Sequence, residues 1–263
     1  MNFLKLLILF FILPIFTYSQ FFDDFSDGDF ITNPTWSGDI SQFEVDSNYS
    51  LHLNDTIAST SYLSVSSDFF YNTSWEFNVR LDFSPSTNNY AKVYIASDTE
   101  DLSAPLNGVF VKIGGQTGSI DEVSLYTQEG TNSNKIIDGI DGLATNNPDF
   151  KIKVTRNLLG DWELFVDTNG VYFTQGTVFD TTINKSLFMG VYCRYTITRS
   201  DKFWFDDFII NGSPTAISNH TFKNKEINIS FDLVGRNTNS IRKNNFSLYF
   251  TKSGNIEKRY ILE

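Results

Sequence analysis

Apolar and polar residues alternate with a period of two along several segments of this sequence. In SWEFNVRLDF, every second residue from Trp75 to Phe83 is apolar, and the residues between them are polar. A period of two places alternate side chains on opposite faces of a half-buried β-strand. The same alternation recurs in YAKVYIAS, GVFVKIGG and DFKIKVTRN, with Gly, Asn, Asp and Ser between the segments. The pattern predicts an all-β, two-sheet antiparallel sandwich without helices over residues 20–210.

The apolar side of these segments defines the expected core. Cys193 lies on the same side of its segment as Val191, and it is the only cysteine, so an intrachain disulfide is excluded. A lone cysteine on an apolar face is typical of a small buried hydrophobic residue rather than of a nucleophile. The residues that we expect to be buried together are Trp75, Phe77, Val79, Val93, Ile95, Val111, Ile113, Val154, Trp162, Leu164, Val191 and Cys193.

The phrase Phe-Asp-Asp-Phe occurs twice, at residues 22–25 and again at residues 205–208. We favour the interpretation that the two phrases lie on adjacent first and last strands, whose phenylalanines share one core. The alternative is a structural calcium site, because Ca²⁺ in extracellular sandwiches is bound by carboxylates and backbone carbonyls. The candidate ligands of that site are Asp23, Asp24, Asp27, Asp29, Asp206 and Asp207.

Residues 1–19 are typical of a secretory signal peptide. Lys5 precedes an apolar run from Leu6 to Phe16, and the small residues Thr17 and Ser19 occupy the −3 and −1 positions. A run of about 11 apolar residues is too short to span a bilayer, and no later run is long enough. We therefore expect cleavage after Ser19, no membrane span in the mature chain, and an extracellular or outer-cell-surface location.

Charge divides the mature chain into two parts. Residues 20–210 contain 11 Lys and Arg against 27 Asp and Glu, a net charge of −16, whereas residues 211–263 contain 8 against 4, a net charge of +4. The acidic balance argues against a nucleic-acid partner, which demands a basic surface. Gly, Ser and Pro at the junction predict a linker over residues 211–216, followed by a small β module over residues 217–263.

The polar sides of the alternating segments collect aromatic rings and charged groups. Tyrosine rings stack on sugar faces, and Arg and Glu side chains hydrogen bond to hydroxyl groups, so a shared face would bind a glycan or cell-surface polymer. The alternative is an ordinary solvated sheet face. The candidate groove residues are Glu76, Arg80, Tyr90, Tyr94, Tyr126, Tyr192 and Arg194, with Asn78, Lys92 and Lys112 among them.

The segments FFDDFSDGDFITNPTWSGDISQFEV, RLDFSPSTNNYAKVYIASD, LNGVFVKIGGQTGSIDEVSLYTQEG and KFWFDDFII resemble the concanavalin A/laminin-G-like jelly-roll domain. That domain stands at the N-terminus of many large secreted proteins of gliding-type Gram-negative bacteria, which often continue into lamin-tail-like domains. The resemblance covers about residues 21–210 and implies a jelly-roll sandwich of two packed sheets. It implies less about function, because the fold hosts lectins, enzymes and spacers.

The C-terminal segment INISFDLVGRNTNSIRKNNFSLYFTKSGNIEKRYILE resembles the last strands of the type IX secretion C-terminal sorting domain. The resemblance implies a partner in a type IX-like secretion machinery. Its matching positions are Gly235 and Arg236 in a turn, Tyr249 in an aromatic strand, and Lys258 and Arg259 in a final basic strand.

No catalytic motif stands out in the sequence. Glycoside hydrolases on the jelly-roll fold use closely spaced carboxylates on one strand face, and no such run is present. Metal-binding His or Cys motifs, phosphate-binding Gly-rich loops and a serine elbow are also missing. The sequence therefore predicts a non-catalytic exported protein without a cofactor, serving as a carbohydrate-binding or adhesion module. The alternatives are a polysaccharide-active enzyme on the same fold and a structural spacer without a ligand.

Overall fold

The structure, a computed structural model, describes residues 19–118, 120–214, 230–231, 246–250 and 256–260. The chain divides into two compact units, Met1–Ala216 and Ile217–Glu263. Within the described residues, the regular structure is β-strand apart from two short 3-10 turns, Ile40–Gln42 and Ile197–Arg199. The prediction of an all-β fold is therefore confirmed.

The first unit is a sandwich of two antiparallel sheets. Its strands in chain order are β1 (Ser19–Asp23), β2 (Ser37–Gly38), β3 (Phe43–Val45), β4 (Leu51–Leu53), β5 (Ser59–Ser66), β6 (Phe69–Leu81), β7 (Tyr90–Ser97), β8 (Leu106–Ile113), β9 (Val123–Gly130), β10 (Asn132–Ile137), β11 (Asp149–Arg156), β12 (Asp161–Asp167), β13 (Tyr172–Phe179), β14 (Phe188–Tyr195) and β15 (Phe203–Pro214). Eight strands form one sheet in the order β13-β12-β11-β6-β15-β4-β3, with β1 also paired to β15. Seven strands form the other sheet in the order β10-β9-β8-β7-β14-β5-β2.

The core lies between the apolar faces of the two sheets. All of the residues that the alternation predicted to be buried belong to one contiguous buried cluster, so this prediction is confirmed. Trp75 and Trp162 stack within this cluster with 5.9 Å between ring centroids. Cys193 is fully buried among these residues, and burial raises the pKa of its thiol well above the ordinary value, which agrees with a packing role.

The two Phe-Asp-Asp-Phe phrases meet because β1 pairs antiparallel with β15. Asp23 lies opposite Phe208 in this register. The rings of Phe25 and Phe208 contact edge-on at 6.1 Å, and Trp36 packs on both of them. The interpretation of the repeated phrase as adjacent first and last strands is confirmed.

The last strand of the sandwich continues into the segment predicted as a linker. Residues 211–214 of β15 pair with β6, so they form sheet structure, and the boundary between the compact units falls after Ala216. Gly212 is required by packing here, because a Cβ atom at this position would lie 2.1 Å from Oγ1 of Thr73. In the sequence this glycine suggests a linker. In the structure it allows β15 to pack closely against Thr73 of β6.

The second unit contains three short antiparallel strands among its described residues. They are β16 (Ser230–Phe231), β17 (Phe246–Phe250) and β18 (Ile256–Tyr260), and they pair in the order β16-β17-β18. Tyr249 lies on β17, and Lys258 and Arg259 lie on β18, whereas Gly235 and Arg236 lie outside the described residues. The sorting role of this segment stays a prediction.

The described residues contain no helix that is long and apolar enough to cross a membrane. The predicted signal peptide, except for Ser19, lies outside the described residues. Its role in export therefore also stays a prediction.

Candidate functional site

The outer face of the seven-stranded sheet gathers aromatic and cationic side chains from its central strands. Ala91 and Val93 of β7 belong to the core, so Lys92 and Tyr94 point to the opposite side of the sheet. The same alternation on β5, β8, β9 and β14 adds neighbouring side chains to that side. We call this surface the lysine–tyrosine face; its members are Tyr62, Tyr90, Lys92, Tyr94, Phe110, Lys112, Tyr126, Tyr192 and Arg194.

One row of this face crosses five strands and contains two adjacent lysines. Tyr62 lies opposite Tyr192, and Tyr192 lies opposite Lys92. Lys92 in turn lies opposite Lys112, which lies opposite Ser124. Directly opposed residues on one sheet face have their Cβ atoms about 4.5–5.5 Å apart, so the two lysines are neighbours on one surface.

A second row forms an apolar floor beside the lysines. Phe110 stacks parallel to Tyr126 at 5.1 Å, and it lies 5.0 Å from the ring of Tyr94. Leu102 and Leu106 pack on these rings, and Tyr94 and Phe110 are each only 1% exposed. Tyr94, a candidate binding residue, is therefore covered, whereas Tyr126 remains partly exposed.

The hydroxyl group of Tyr94 connects this apolar floor to the row that contains Lys92 and Lys112, which we call the lysine row. It donates a hydrogen bond to Oε1 of Gln128 at 2.8 Å and accepts one from Nζ of Lys92 at 3.3 Å. Burial raises the pKa of Tyr94, so its hydroxyl stays neutral and can perform both roles. Tyr94 thus positions Lys92 from below.

The Lys92 ammonium group lies among three aromatic rings. Its Nζ atom is 4.4 Å from the ring centroid of Phe110, 5.2 Å from that of Tyr192 and 5.5 Å from that of Tyr94. In the described part of the chain, no carboxylate lies within 4.0 Å of this nitrogen. Burial, and then the positive charge of Lys112, lowers the pKa of Lys92 to about 8.

Lys112 is held in a similar aromatic setting next to Lys92. Its Nζ atom lies 4.6 Å from the ring centroid of Tyr90 and 6.0 Å from that of Tyr126, and it donates a hydrogen bond to the carbonyl oxygen of Gly115 at 3.2 Å. A Cβ atom at position 115 would lie 2.6 Å from Cε of Lys112, so glycine makes room for this side chain. Burial lowers the pKa of Lys112.

A buried carboxylate borders the face at the start of β9. Glu122 accepts hydrogen bonds at Oε1 from Ser124 Oγ at 2.7 Å, from Gln116 Nε2 at 2.8 Å and from Lys135 Nζ at 2.5 Å. Lys135 also pairs with Asp138, and although burial opposes it, these hydrogen bonds raise the pKa of Lys135. The sequence pattern does not single out Glu122, because two of its partners, Gln116 and Lys135, come from the preceding loop and from β10 and become neighbours only in the folded sheet.

The structure divides the candidate groove residues between two opposite surfaces. Glu76, Asn78 and Arg80 lie on β6 of the eight-stranded sheet, whereas the other seven lie on the seven-stranded sheet. Alternation shows that all of these side chains point away from the core, but it does not show which sheet carries each strand. A single ligand on one face therefore cannot contact all ten residues.

Arg80 forms part of a stack on the outer face of the eight-stranded sheet. Its guanidinium carbon lies 4.1 Å from the ring centroid of Trp204, and the ring of His52 stacks on Trp204 at 4.5 Å. Arg80 and His52 come from the two strands that flank Trp204 on β15. Because neighbours from both sides already cover it, Trp204 is not an open platform for a sugar ring.

Glu76 is neutralised by neighbours on the same surface. Lys153, which lies opposite it in register, reaches Oε1 at 3.0 Å, and Lys151 lies 4.0 Å from Oε2. The hydroxyl group of Tyr172 donates a hydrogen bond to Oε2 at 3.0 Å. This cluster satisfies the charge of Glu76 within the protein.

Two shallow depressions lie on the eight-stranded sheet rather than on the lysine–tyrosine face. One has a volume of about 270 Å³ beside Arg80, Asn78 and Asp206. The other has a volume of about 400 Å³ beside Thr155 and Glu163. The two depressions therefore lie on one surface, whereas the aromatic rings and the cations suited to binding a ligand lie on the other. We give more weight to the lysine–tyrosine face, because its cations lack carboxylate partners within the described residues and its rings adjoin them.

The candidate calcium ligands near the N-terminus are engaged in local hydrogen bonds. Asp24, Asp27 and Asp29 each accept a hydrogen bond from a backbone N–H group two residues further along the chain, as aspartates in turns do. Asp23 is buried and accepts a hydrogen bond from Nε1 of Trp36 at 2.7 Å. Burial outweighs this hydrogen bond and raises the pKa of Asp23. These four carboxylates therefore stabilise the turn that follows β1 and the packing of β1 beside β15.

Asp206 and Asp207 are likewise bound by neutral side chains. Asp206 accepts a hydrogen bond from Oγ of Ser50 at 3.1 Å, and Asp207 accepts one from Nδ2 of Asn78 at 2.7 Å. Burial raises the pKa of Asp206. Among the described residues, no group of three or more His, Cys, Asp or Glu side chains could hold a metal ion. The arrangement therefore does not fit the oxygen-rich shell that calcium requires.

Comparisons with solved structures identify the architecture of the first unit. The lectin from Bauhinia forficata in complex with GalNAc has a TM-score of 0.51 at 10% identity, and the match covers 76% of this chain and 100% of the lectin. The exoplasmic/lumenal domain of VIP36 in its Ca²⁺/Man3GlcNAc-bound form has a TM-score of 0.50 at 10% identity, covering 72% of this chain and 87% of that chain. A chain from work on endo-acting O-glycanases, which prominent members of the human gut microbiota express to initiate mucin breakdown, has a TM-score of 0.51 at 12% identity and covers 73% and 98%.

These likenesses show a lectin-like, concanavalin A-like sandwich. No protein-family model matches the sequence, and no curated protein matches it. At 10–12% identity the structural likeness concerns the fold alone, because one fold hosts many functions. The predicted jelly-roll resemblance is confirmed at the level of the fold.

Proposed function

We propose that the first unit is a non-catalytic carbohydrate-binding module whose ligand lies across the lysine–tyrosine face. The observation that supports this proposal is the row in which Tyr192, Lys92 and Lys112 stand side by side on three adjacent strands. Partly exposed rings of Tyr62, Tyr192 and Tyr126 border the buried floor. The site combines apolar rings with hydrogen-bond donors, as sugar-binding surfaces do.

The fold supports the same proposal by analogy. Two of the similar structures are lectins or lectin-like domains that are described with GalNAc or Man3GlcNAc. Together with the predicted signal peptide, this favours an exported protein that binds a glycan or cell-surface polymer in the extracellular space or at the outer cell surface. In this proposal, residues 217–263 act as the export or attachment address, through a type IX-like secretion machinery.

A glycan array probed with the chain from residue 20 onward tests the binding function. We expect retention of at least one glycan class by the wild-type protein, and at least a tenfold loss of affinity in the Tyr192→Ala and Tyr126→Ala variants, because stacking on the face is removed. Tyr172→Ala is the matched control, since Tyr172 is a half-buried tyrosine on the opposite outer surface. Equal losses in all three variants, or no retention of any glycan, would contradict the proposal.

The alternative of a polysaccharide-active enzyme is favoured by the likeness to the chain described with O-glycanases. Glycosidases need two carboxyl groups about 5–10 Å apart on either side of the scissile bond. Glu122 is a buried carboxylate that borders the lysine–tyrosine face, and its Oε1 atom accepts hydrogen bonds from three donors, including Lys135. We therefore expect no release of reducing ends from glycans that the array identifies. Release that is lost in Glu122→Gln would favour the enzyme.

The proposed binding does not depend on a metal ion. VIP36 is described in a calcium-bound form, but the aspartates predicted as calcium ligands here accept hydrogen bonds from the protein itself. A structural calcium ion would have to displace several of these hydrogen bonds.

A further inference from the structure

We propose that the ligand of the lysine–tyrosine face is an acidic saccharide, whose carboxylate or sulfate group binds between Lys92 and Lys112. This inference rests on the proposed carbohydrate-binding function and specifies its ligand class. It is carried by the placement of two cations on adjacent strands without a carboxylate partner.

The pairing of lysines differs between the two outer surfaces of the sandwich. On the eight-stranded sheet, Lys153 lies opposite Glu76 and forms an ion pair at 3.0 Å. On the seven-stranded sheet, Lys92 lies opposite Lys112, and neither has a carboxylate within 4.0 Å among the described residues. Like charges directly opposed across strands are destabilising. An anion placed between them would remove this repulsion.

The surroundings strengthen the attraction of these lysines for an anion. Arg194 adds a third cation to this face, opposite Tyr90 in register. Asp121 and Glu122 act in the opposite sense, because their negative charges raise the pKa of Lys112 against the larger effect of burial, although neither forms an ion pair with it. The buried rings of Tyr94 and Phe110 exclude water from one side of the lysine row. Ionic attraction is stronger where water is excluded, so an anion here has a larger Coulomb attraction to the lysines than at an open surface, set against the loss of part of its hydration.

The aromatic residues around the lysines favour a saccharide over a small free anion. Tyr62 and Tyr192 lie on one side of Lys92 in the row, and Tyr90 and Tyr126 border Lys112. The row crosses five strands, which corresponds to about 19 Å at the usual strand spacing. A site of that length, with tyrosine rings beside both cations, fits an extended chain that carries an acidic group.

Calorimetric titration of the chain from residue 20 with matched acidic and neutral probes tests the inference. The carboxylate pair is hexagalacturonate and its methyl-esterified form; the sulfate pair is sulfated isomaltohexaose and unmodified isomaltohexaose. The variants are Lys92→Met and Lys112→Met, which keep an unbranched side chain of similar length and remove its charge. Lys153→Met is the matched control, since Lys153 also lies near a tyrosine ring, 5.7 Å from the centroid of Tyr172, on the opposite surface.

We expect at least one acidic probe to bind at least tenfold more tightly than its neutral form. The Lys92→Met and Lys112→Met variants should each lose about 10- to 100-fold in affinity for that probe, as hydrogen bonds to charged groups do when one partner is removed, and Lys153→Met should bind normally. Thermal melts of every variant separate loss of binding from loss of folding.

Equal affinity for the two members of each pair would overturn the acidic ligand and leave carbohydrate binding intact. If none of these probes and none of the array glycans binds, both proposals fail. If Lys153→Met weakens binding as much as Lys92→Met and Lys112→Met do, the proposed location of the site is wrong.

Discussion

Replacing Lys92 by methionine should stabilise the first unit, although it removes a residue of the proposed binding site. The folded protein lowers the pKa of this lysine from 10.5 to about 8. That difference corresponds to about 3 kcal/mol of penalty on the charged form at neutral pH. The ring contacts offset about 0.5–2 kcal/mol of this penalty. Methionine retains an unbranched apolar side chain, so we expect a net gain of about 1–2 kcal/mol at pH 7.

The gain should depend on pH in a defined direction. The folded-state pKa lies below the unfolded value, so the penalty is complete below about pH 8 and disappears as the pH rises toward 10.5. The groups that face the ammonium group are Lys112, whose pKa is also lowered, and Tyr94 and Tyr192, whose pKa values are raised by burial. The tyrosines are present in both proteins, so the difference between wild type and Lys92→Met isolates the lysine.

Urea denaturation followed by tryptophan fluorescence at pH 7, 8, 9 and 10 measures this effect. All four tryptophans lie in the first compact unit, so the signal reports the sandwich. Lys153→Met is the control and should lose stability slightly, because Lys153 is paired with Glu76. A Lys92→Met variant that is less stable than wild type at pH 7, with a difference that does not change up to pH 10, would refute the reasoning and show that the rings hold the charged lysine favourably.

Four further predictions concern the core, the strand closure, the metal and the tail. Phe77→Ala should lower the free energy of unfolding by about 3–5 kcal/mol in urea titrations, because Phe77 is buried and stacks on Phe208 at 5.9 Å; an unchanged midpoint would contradict its place in the core. Gly212→Ala should lower the free energy of unfolding by about 1–3 kcal/mol in the same assay, since the added methyl group would clash with Thr73. An unchanged free energy of unfolding would show that β15 shifts enough to accommodate the methyl group. A chelator should leave the melting temperature unchanged after prior saturation with Ca²⁺, whereas a drop would reveal a native-state calcium site. Deletion of residues 217–263 should cause periplasmic retention in a host with type IX secretion, and unchanged surface appearance would show that this segment is not an address.

Local patterns were sufficient to predict the fold of the first unit. The alternation from Trp75 to Phe83 determines which side chains are buried, because a strand with one wet face must place its apolar residues inward. The repeated phrase at residues 22–25 and 205–208 also led to the correct pairing of β1 with β15. These features depend on short segments, which is why they can be read without the structure.

Features that depend on which strands become neighbours could not be predicted in the same way. Glu76 and Tyr94 both lie on the polar sides of alternating strands, yet they belong to opposite surfaces. The burial of Tyr94 depends on Leu102 and Leu106, which cover it only in the folded sheet. In the sequence, Gly212 suggests a linker, because its close contact with Thr73 exists only once β15 pairs with β6.

The lysine row illustrates the same limit and also separates a binding module from a structural spacer. Lys92 and Lys112 could each be recognised as polar-face residues in the sequence, but their adjacency follows only from the register of β7 and β8. A spacer has no reason to retain two opposed, half-buried cations, because a carboxylate opposite a lysine, as at Glu76 and Lys153, is more favourable. In a spacer, Lys92→Met would bring only a gain in stability. In a binding module, the same substitution raises stability and lowers affinity for the ligand, so measuring both quantities on this one variant distinguishes the two functions.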